Sequence, residues 1–252
     1  DIAPSIPVVT HCHATGLRQL QLCPHLRPEV TAGLRRHGAF LVLHAEHARQ
    51  VSALLPVPAT RVVEVGAGYR DDLFHPGGAP DPTSRRGQLL YVGKYAAAKG
   101  LPWLLDACEL LWQSGASFTL HVAGDGAGEE ADQLRSRLAS LQPRVQVHGQ
   151  LDQPALAALM RRCAGLILPS LYEGLPLVLV EARACGCLLL STALPGIAAR
   201  LAPALGEDLE TIPPPGLVGA DTPVAADLPD FTGRLAAAIG LLAALPARAP
   251  EP

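Results

Sequence analysis

The stretch Gly165-Leu-Ile-Leu-Pro-Ser-Leu-Tyr-Glu173-Gly-Leu-Pro176-Leu-Val-Leu-Val-Glu181-Ala-Arg-Ala-Cys-Gly-Cys187-Leu-Leu-Leu-Ser191 decides the fold. An apolar run of strand length, Gly165 to Leu168, leads through a glycine–proline break into a segment of helical period, Pro176 to Ala184. A second apolar run, Cys187 to Ser191, follows. Such alternation argues for parallel strands joined by a crossover helix. The break between strand and helix also carries chemistry. Seven residues separate Glu173 from Glu181. With Pro176 read as the first helical residue, its missing N–H costs nothing there, and the N–H groups of Leu175, Leu177 and Val178 point out of the helix end, where an anion is favoured. A carboxylate beside a diphosphate would repel it, so each Glu is better read as accepting hydrogen bonds from hydroxyls. The bland alternative is a capping acid and a solvated helix Glu. The apolar neighbours Leu179, Val180 and Ala182 make an unpartnered Glu181 costly and favour a ligand carrying both hydroxyls and phosphates.

Working outward, the alternation continues in both directions. Strand-length runs fall at Val8–Thr10, Ala39–Leu43, Arg61–Val65, Gln88–Val92, Ser117–Val122 and Val145–His148. Segments of helical period fall at Pro28–Arg36, Ala45–Leu54, Leu101–Trp112, Glu129–Leu141, Gln153–Cys163, Gly196–Leu201 and Phe231–Leu245. Asp152 is placed to cap the helix that follows it, with Pro154 in the first turn. The pattern is that of an α/β protein with parallel sheets. A Gly/Pro-rich break at His75–Gly87 marks a linker or long surface loop, and a second Pro-rich stretch runs from Ile212 to Gly216. The tail from Pro246 to Pro252 is expected to lack order. Before the first break there are three strands, whereas a doubly wound domain has five or six. After it the set is complete. The chain begins at Asp1 and runs almost at once into a strand, which reads as a fragment boundary.

Bulk properties narrow the function classes. The chain has 252 residues, 49% of them hydrophobic, and a formal net charge of −3. No basic field points to nucleic acid. No segment has the ~18–20 apolar residues of a membrane span. The six cysteines lie mostly in apolar runs and read as buried thiols of a reducing compartment.

Ligands of open α/β sheets bind beyond the carboxyl ends of the strands. Three further segments occupy such positions. Gly93-Lys94 to Lys99-Gly100 follows one strand and holds the only two lysines of the chain. Lys is a point charge able to neutralise phosphate, and the alternative is two solvated surface groups. Gly124-Asp-Gly126-Ala-Gly128 could cradle a phosphate, and taken alone reads better as a tight turn. Thr10-His11-Cys12-His13 to Arg18 follows the first strand. Its histidines lack an acidic partner and make a poor metal site, so one imidazole facing a cleft, with Arg18 behind it, is the better reading.

Together these motifs resemble those of a retaining glycosyltransferase of the family-four type with the GT-B fold. The resemblance rests on Tyr-Val-Gly-Lys-x4-Lys-Gly-Leu, His-Val-Ala-Gly-Asp-Gly, Val-His-Gly-Gln-Leu and Leu-Pro-Ser-x2-Glu-Gly-Leu-Pro-Leu-Val-x2-Glu-Ala-x2-Cys-Gly. It implies a complete Rossmann-like C-terminal domain over 88–222, which binds a nucleotide sugar. Before it would come a linker over 77–87 and the second half of a truncated Rossmann-like acceptor-side domain over 1–76. A closing helix and tail over 223–252 would cross back to the N-terminal half. Lys94 and Lys99 would grip the diphosphate. Lys94 departs from the Arg more usual there and loses the bidentate fork. Gly93 and Gly124 would line the donor, and Gly174, Leu175, Pro176 and Leu177 would bring backbone amides to the phosphate. Glu173 and His13 would face the transferred sugar, Glu181 would hold the ribose, and Arg18 would line the acceptor cleft.

The reaction implied is transfer of a sugar from a nucleotide diphosphate to a hydroxyl of a glycan, lipid or small molecule with retention of configuration. It would need no cofactor and no metal. The source would be bacterial, the location cytoplasmic, with peripheral contact at the inner membrane face left open. The Gly-rich loop that opens the family's N-terminal domain is not present, so the chain alone is expected to bind donor without necessarily transferring it. The alternatives are a non-catalytic nucleotide-sugar-binding or interaction subunit of the same fold, and a dehydrogenase, which lacks its dinucleotide fingerprint here.

Overall fold

The computed structural model describes residues 6–35, 37–78 and 80–248, which form two compact units. The first comprises the chain up to Gly68 together with Glu173–Leu175. The second comprises Tyr69–Tyr172 and the chain from Pro176 onward.

The first unit is built on three parallel strands, β1 (Val9–Cys12), β2 (Ala39–Val42) and β3 (Val62–Glu64), in that spatial order. Helices α1 (Ala14–Leu22) and α2 (Arg27–Leu34) connect β1 to β2, and α3 (Ala45–Leu54) connects β2 to β3. Its core gathers Cys12, Leu17, Phe40, Val42, Val51 and Leu55. The segment after β1, which the sequence suggests is a loop, is helical from Ala14. Leu17 and Leu20 fall three residues apart and both pack on that core, so burial overrides the weak helix propensity of Thr15 and Gly16. The helix expected at Pro28–Arg36 starts one residue earlier, and its expected end at Arg36 lies outside the described residues, as do the last four residues of the chain.

The second unit holds six parallel strands in the order β6-β5-β4-β7-β8-β9. They are β4 (Gln88–Val92), β5 (Thr119–Ala123), β6 (Val145–Gly149), β7 (Gly165–Leu168), β8 (Leu188–Thr192) and β9 (Leu209–Ile212). The crossovers are α4 (Leu101–Gln113), α5 (Glu129–Ser140), α6 (Gln153–Arg162) and α7 (Leu177–Ala184), with a five-residue π turn at Ile197–Leu201 and the short α8 (Ala202–Leu205) before β9. The chain winds outward from β4 in one direction and from β7 in the other, so the order reverses between these two strands. Asp152 caps α6 through Oδ1, which accepts from Ala155 N at 2.9 Å.

Strand β9 has no apolar run to announce it. Its register is set by β8, with Leu189 opposite Leu209 and Thr192 opposite Ile212. It is anchored by Asp208, 6% exposed and held between Arg183 and Arg248. A small antiparallel pair, β10 (Leu217–Val218) and β11 (Thr222–Pro223), follows. The last helix, α9, spans Leu228–Ala244 and starts three residues before the expected Phe231, with Pro229 in its first turn. It was expected to cross to the N-terminal half. Within the second unit its buried stripe of Phe231, Leu235, Ile239 and Leu242 packs on α4 and on β7–β9, Phe231 meeting Trp103 edge-on at 6.4 Å.

Arg85 is buried just ahead of β4. It donates to the carbonyls of Met160 and Cys163 at the end of α6 and to that of Cys185 at the end of α7, so two helix C-termini share one cation. The cysteines around it are free thiols, and burial pushes Cys163 up to about 12 and Cys185 to about 11, which leaves them un-ionised at neutral pH.

One polar chain crosses β4, β5 and β6. His121 Nε2 lies 2.8 Å from Gln88 Oε1 and His121 Nδ1 lies 2.9 Å from His148 Nε2. The amide oxygen can only accept, so His121 carries its proton on Nε2 and accepts from His148. Burial, then the neighbouring His148 and Arg162, lower the His121 pKa to about 4. The folded value lies below the unfolded one near 6.5, so the unfolded chain takes up the proton first. Stability is full above about pH 6.5 and is lost as pH falls towards 4, by about 2–3 kcal/mol. Both tryptophans, Trp103 and Trp112, lie in the second unit and report its unfolding. Urea titrations followed by their fluorescence should show a steeper loss between pH 6.5 and 4.5 in the native chain than in His121→Gln. Parallel pH profiles for the two would contradict the assignment.

Candidate functional site

The carboxyl ends of β4, β5 and β6 open onto a cavity of about 580 Å³. It is lined by Gly93 and Lys94 after β4, the Gly124–Ala127 turn after β5, and Gln150, Leu151 and Leu156 around the start of α6. Its shape follows from two glycines. Gly124 has φ +128, and a Cβ there would stand 2.0 Å from Gly93 O. At Gly93 a Cβ would stand 2.8 Å from Tyr91 Oη. The two loops therefore run backbone against backbone, joined by Gly93 N to Ala123 O at 3.0 Å, with Gly124 N reaching Gly149 O at 2.7 Å. On the β4 and β5 side the lining is therefore largely backbone, with Lys94 and Asp125 beside it.

Lys94 is exposed beside the cavity, and Lys99 is half-buried at the end of a 3-10 turn, Ala97–Lys99. The loop that carries both is held at several points. Tyr91 Oη donates to Lys94 O at 2.8 Å, Tyr95 N to Asp125 O at 3.2 Å, Ala97 N to Glu130 Oε1 at 2.6 Å and Leu171 N to Ala98 O at 2.9 Å. At its far end Gly100, φ +73, packs so close to Pro169 that a Cβ would lie 2.0 Å from the carbonyl oxygen. The loop after β4 is thus locked to the loop after β7, across the point where strand order reverses. Ligands of such sheets bind at that reversal.

Helix α7 begins beyond this point. Pro176, read from sequence as the first helical residue, is instead the N-cap, with φ −74 and ψ 96. The extended ψ keeps it out of the helix, and the first turn closes by Leu179 N to Pro176 O at 3.1 Å. Leu177 and Val178 remain as first-turn N–H donors at the positive end of the helix dipole. Glu181 sits half-buried one turn on, and burial raises its carboxyl above the usual range.

The Glu-x7-Glu stretch is divided between the compact units. Half-buried Glu173, buried Gly174 and half-buried Leu175 group with the first unit, and Pro176, Leu177 and Glu181 belong to the second. In the first unit His13 is the N-cap residue of α1 and is exposed, its ring 4.3 Å from that of His11, as expected for positions i and i+2 of an extended strand. Arg18 lies half-buried one turn into α1. Among the described residues no group of three or more His, Cys, Asp or Glu could hold a metal ion. Sequence reading missed Tyr91, Asp125, Glu130 and Arg135, which shape the loops through contacts that no local spacing announces.

The site's dependence on glycine is testable. Gly124→Ala would place a methyl group inside a backbone carbonyl at a dihedral L-residues avoid, at a cost of at least about 1–3 kcal/mol. Urea denaturation by tryptophan fluorescence should show that loss. A variant as stable as the native chain would refute the back-to-back arrangement.

Comparison with known proteins bears on what such a site is for. The family model "Glycosyl transferases group 1" matches residues 86–212. A glycogen synthase of Mycobacterium tuberculosis is 31% identical over 200 residues, covering 76% of this chain and 48% of that protein. D-inositol 3-phosphate glycosyltransferase 1 of Catenulispora acidiphila is 27% identical over 216 residues, covering 76% of this chain and 51% of that protein. The chain therefore spans about half the length of these relatives. Among solved structures, sucrose-phosphate synthase of Thermosynechococcus elongatus superposes with a TM-score of 0.66 at 19% identity, over 93% of this chain and 61% of the other. Anabaena HepE in complex with UDP and glucose gives 0.66 at 19% identity, over 94% and 66%. At these identities the two structures show a shared α/β, GT-B-type fold.

Proposed function

The chain belongs to the group 1 glycosyl transferases, and from that premise we propose that it is the donor-binding part of a glycosyltransferase that moves a sugar from a nucleotide diphosphate to an acceptor hydroxyl. The observation that carries this reading is the cavity at the carboxyl ends of β4, β5 and β6, lined by backbone from Gly93 and Gly124 and by Lys94.

In this reading Lys94 and Lys99 offset the charge of the diphosphate, in the ground state and more strongly as the sugar–phosphate bond breaks. The first-turn amides of α7 and the Gly174–Pro176 turn add donors for the same oxygens. Glu181 takes the ribose hydroxyls. Its partial burial raises its pKa, and hydroxyl donors from a ribose would favour the carboxylate. Glu173 and His13 are assigned to the transferred sugar and Arg18 to the acceptor, a glycan, lipid or small molecule. Retention of configuration, transfer without cofactor or metal, and action in the cytoplasm with peripheral membrane contact belong to the same proposal. Among the described residues no helix is long and apolar enough to cross a membrane. HepE was solved with UDP, which makes a uridine nucleotide the first candidate donor.

Calorimetric titration with UDP, GDP and ADP tests the reading. One nucleotide should bind saturably, and Glu181→Ala or Lys99→Ala should weaken it by about tenfold or more, the worth of a charge-assisted hydrogen bond. Binding of none of the three by a folded sample would sink the donor-site reading.

A further inference from the structure

We propose that Glu130 is a positioning residue for the two-lysine loop and that α5 sets the geometry of both loops that rim the cavity. The proposal rests on the donor-site reading above and adds a residue to it that touches no ligand.

The 3-10 turn Ala97–Lys99 begins after Ala96, whose φ of −157 and ψ of 150 put it in the capping conformation. A methyl group cannot accept a hydrogen bond, so the turn has no cap of its own. Glu130 supplies one from the first turn of α5, its Oε1 accepting from Ala97 N at 2.6 Å. Lys99 is thereby fixed between two constraints, the Glu130 carboxylate before it and the Gly100–Pro169 packing behind it. The same helix holds the neighbouring glycine turn. Arg135 donates to Gly126 O at 2.6 Å and to Asp125 Oδ1 at 3.0 Å, and Asp125 Oδ1 also accepts from Gly126 N at 2.8 Å. A Cβ on Gly126 would meet Ala131 Cβ at 2.8 Å and Tyr95 O at 3.0 Å, so helix, glycine turn and lysine loop are in mutual contact.

A carboxylate bonded to the backbone of the loop that carries the two lysines opposes the binding of an anion there by its charge. Its favourable contribution can only come from holding the turn. Charge and geometry therefore predict opposite effects of removing it, and substitution separates them. Glu130→Gln keeps the acceptor oxygen and removes the charge. Glu130→Ala removes both.

The experiment is calorimetric titration of the chain with UDP, GDP and ADP, using the nucleotide that binds and its monophosphate. For Glu130→Ala, affinity for the diphosphate should fall about tenfold, the loss expected for one charge-assisted hydrogen bond, with the monophosphate affected less. Glu130→Gln should bind as tightly as the native chain or more so. In a Lys99→Ala background Glu130→Ala should add little, because the group it positions has gone. Tighter binding by Glu130→Ala, an equal loss in Glu130→Ala and Glu130→Gln, or full additivity with Lys99→Ala would overturn the proposal. If Lys99→Ala itself leaves binding unchanged, the donor-site reading and this one fall together. If Lys99→Ala weakens binding and Glu130→Ala does not, this one falls alone.

Discussion

The contact between Gly93 and Gly124 is the constraint on which the second unit's binding end depends. Parallel pairing of β4 with β5 brings the two strand ends side by side, and the chain must leave each strand in nearly the same space. Any side chain at Gly124 would occupy the position of a carbonyl oxygen. With glycine there, two loops can diverge from a shared line and leave a cavity between their far ends. Gly100 does the same on the other side of β4, where its close approach to Pro169 ties the lysine loop to the loop after β7. The central strand is flanked by glycine-mediated contacts because it lies where strand order reverses.

Charge is distributed to match. Arg85 is wholly inside and answers the carbonyls of two helix ends, work that a planar guanidinium with several donors does better than a lysine. Asp208 is buried between two arginines, and the pair of ion pairs fixes the strand that closes the sheet. Removing one partner from such a group leaves a buried charge unmatched and costs far more than any exposed pair contributes. At the opposite end Lys94 lines a cavity, and the loop that carries it is braced by hydrogen bonds to its backbone.

Much of this was legible in the chain. Strands β4 and β7 and helix α3 fall at the residues their apolar runs mark, because each is buried enough for its period to show. Asp152 caps α6 as its spacing suggests. The elements that sequence misses or misplaces have weak local signals. Helix α1 contains Thr15 and Gly16 and forms because Leu17 and Leu20 find a core. Strand β9 is Leu-Glu-Thr-Ile and exists through its register with β8 and the arginines on Asp208. Helix α9 shows its apolar stripe in the sequence, but not that α4 is the surface that takes it.

The sequence by itself determined the α/β alternation, the segments that carry chemistry and the family to which those segments belong, because hydrophobic period and glycine, lysine and glutamate spacing are local properties. Only the tertiary structure decided that Pro176 stands outside its helix, that Gly124 must be glycine because of Gly93, and that Glu130 caps a turn more than thirty residues earlier in the chain. Each of these is a contact between segments distant in sequence. Its partner is selected by strand order and helix packing, which no window of the chain contains.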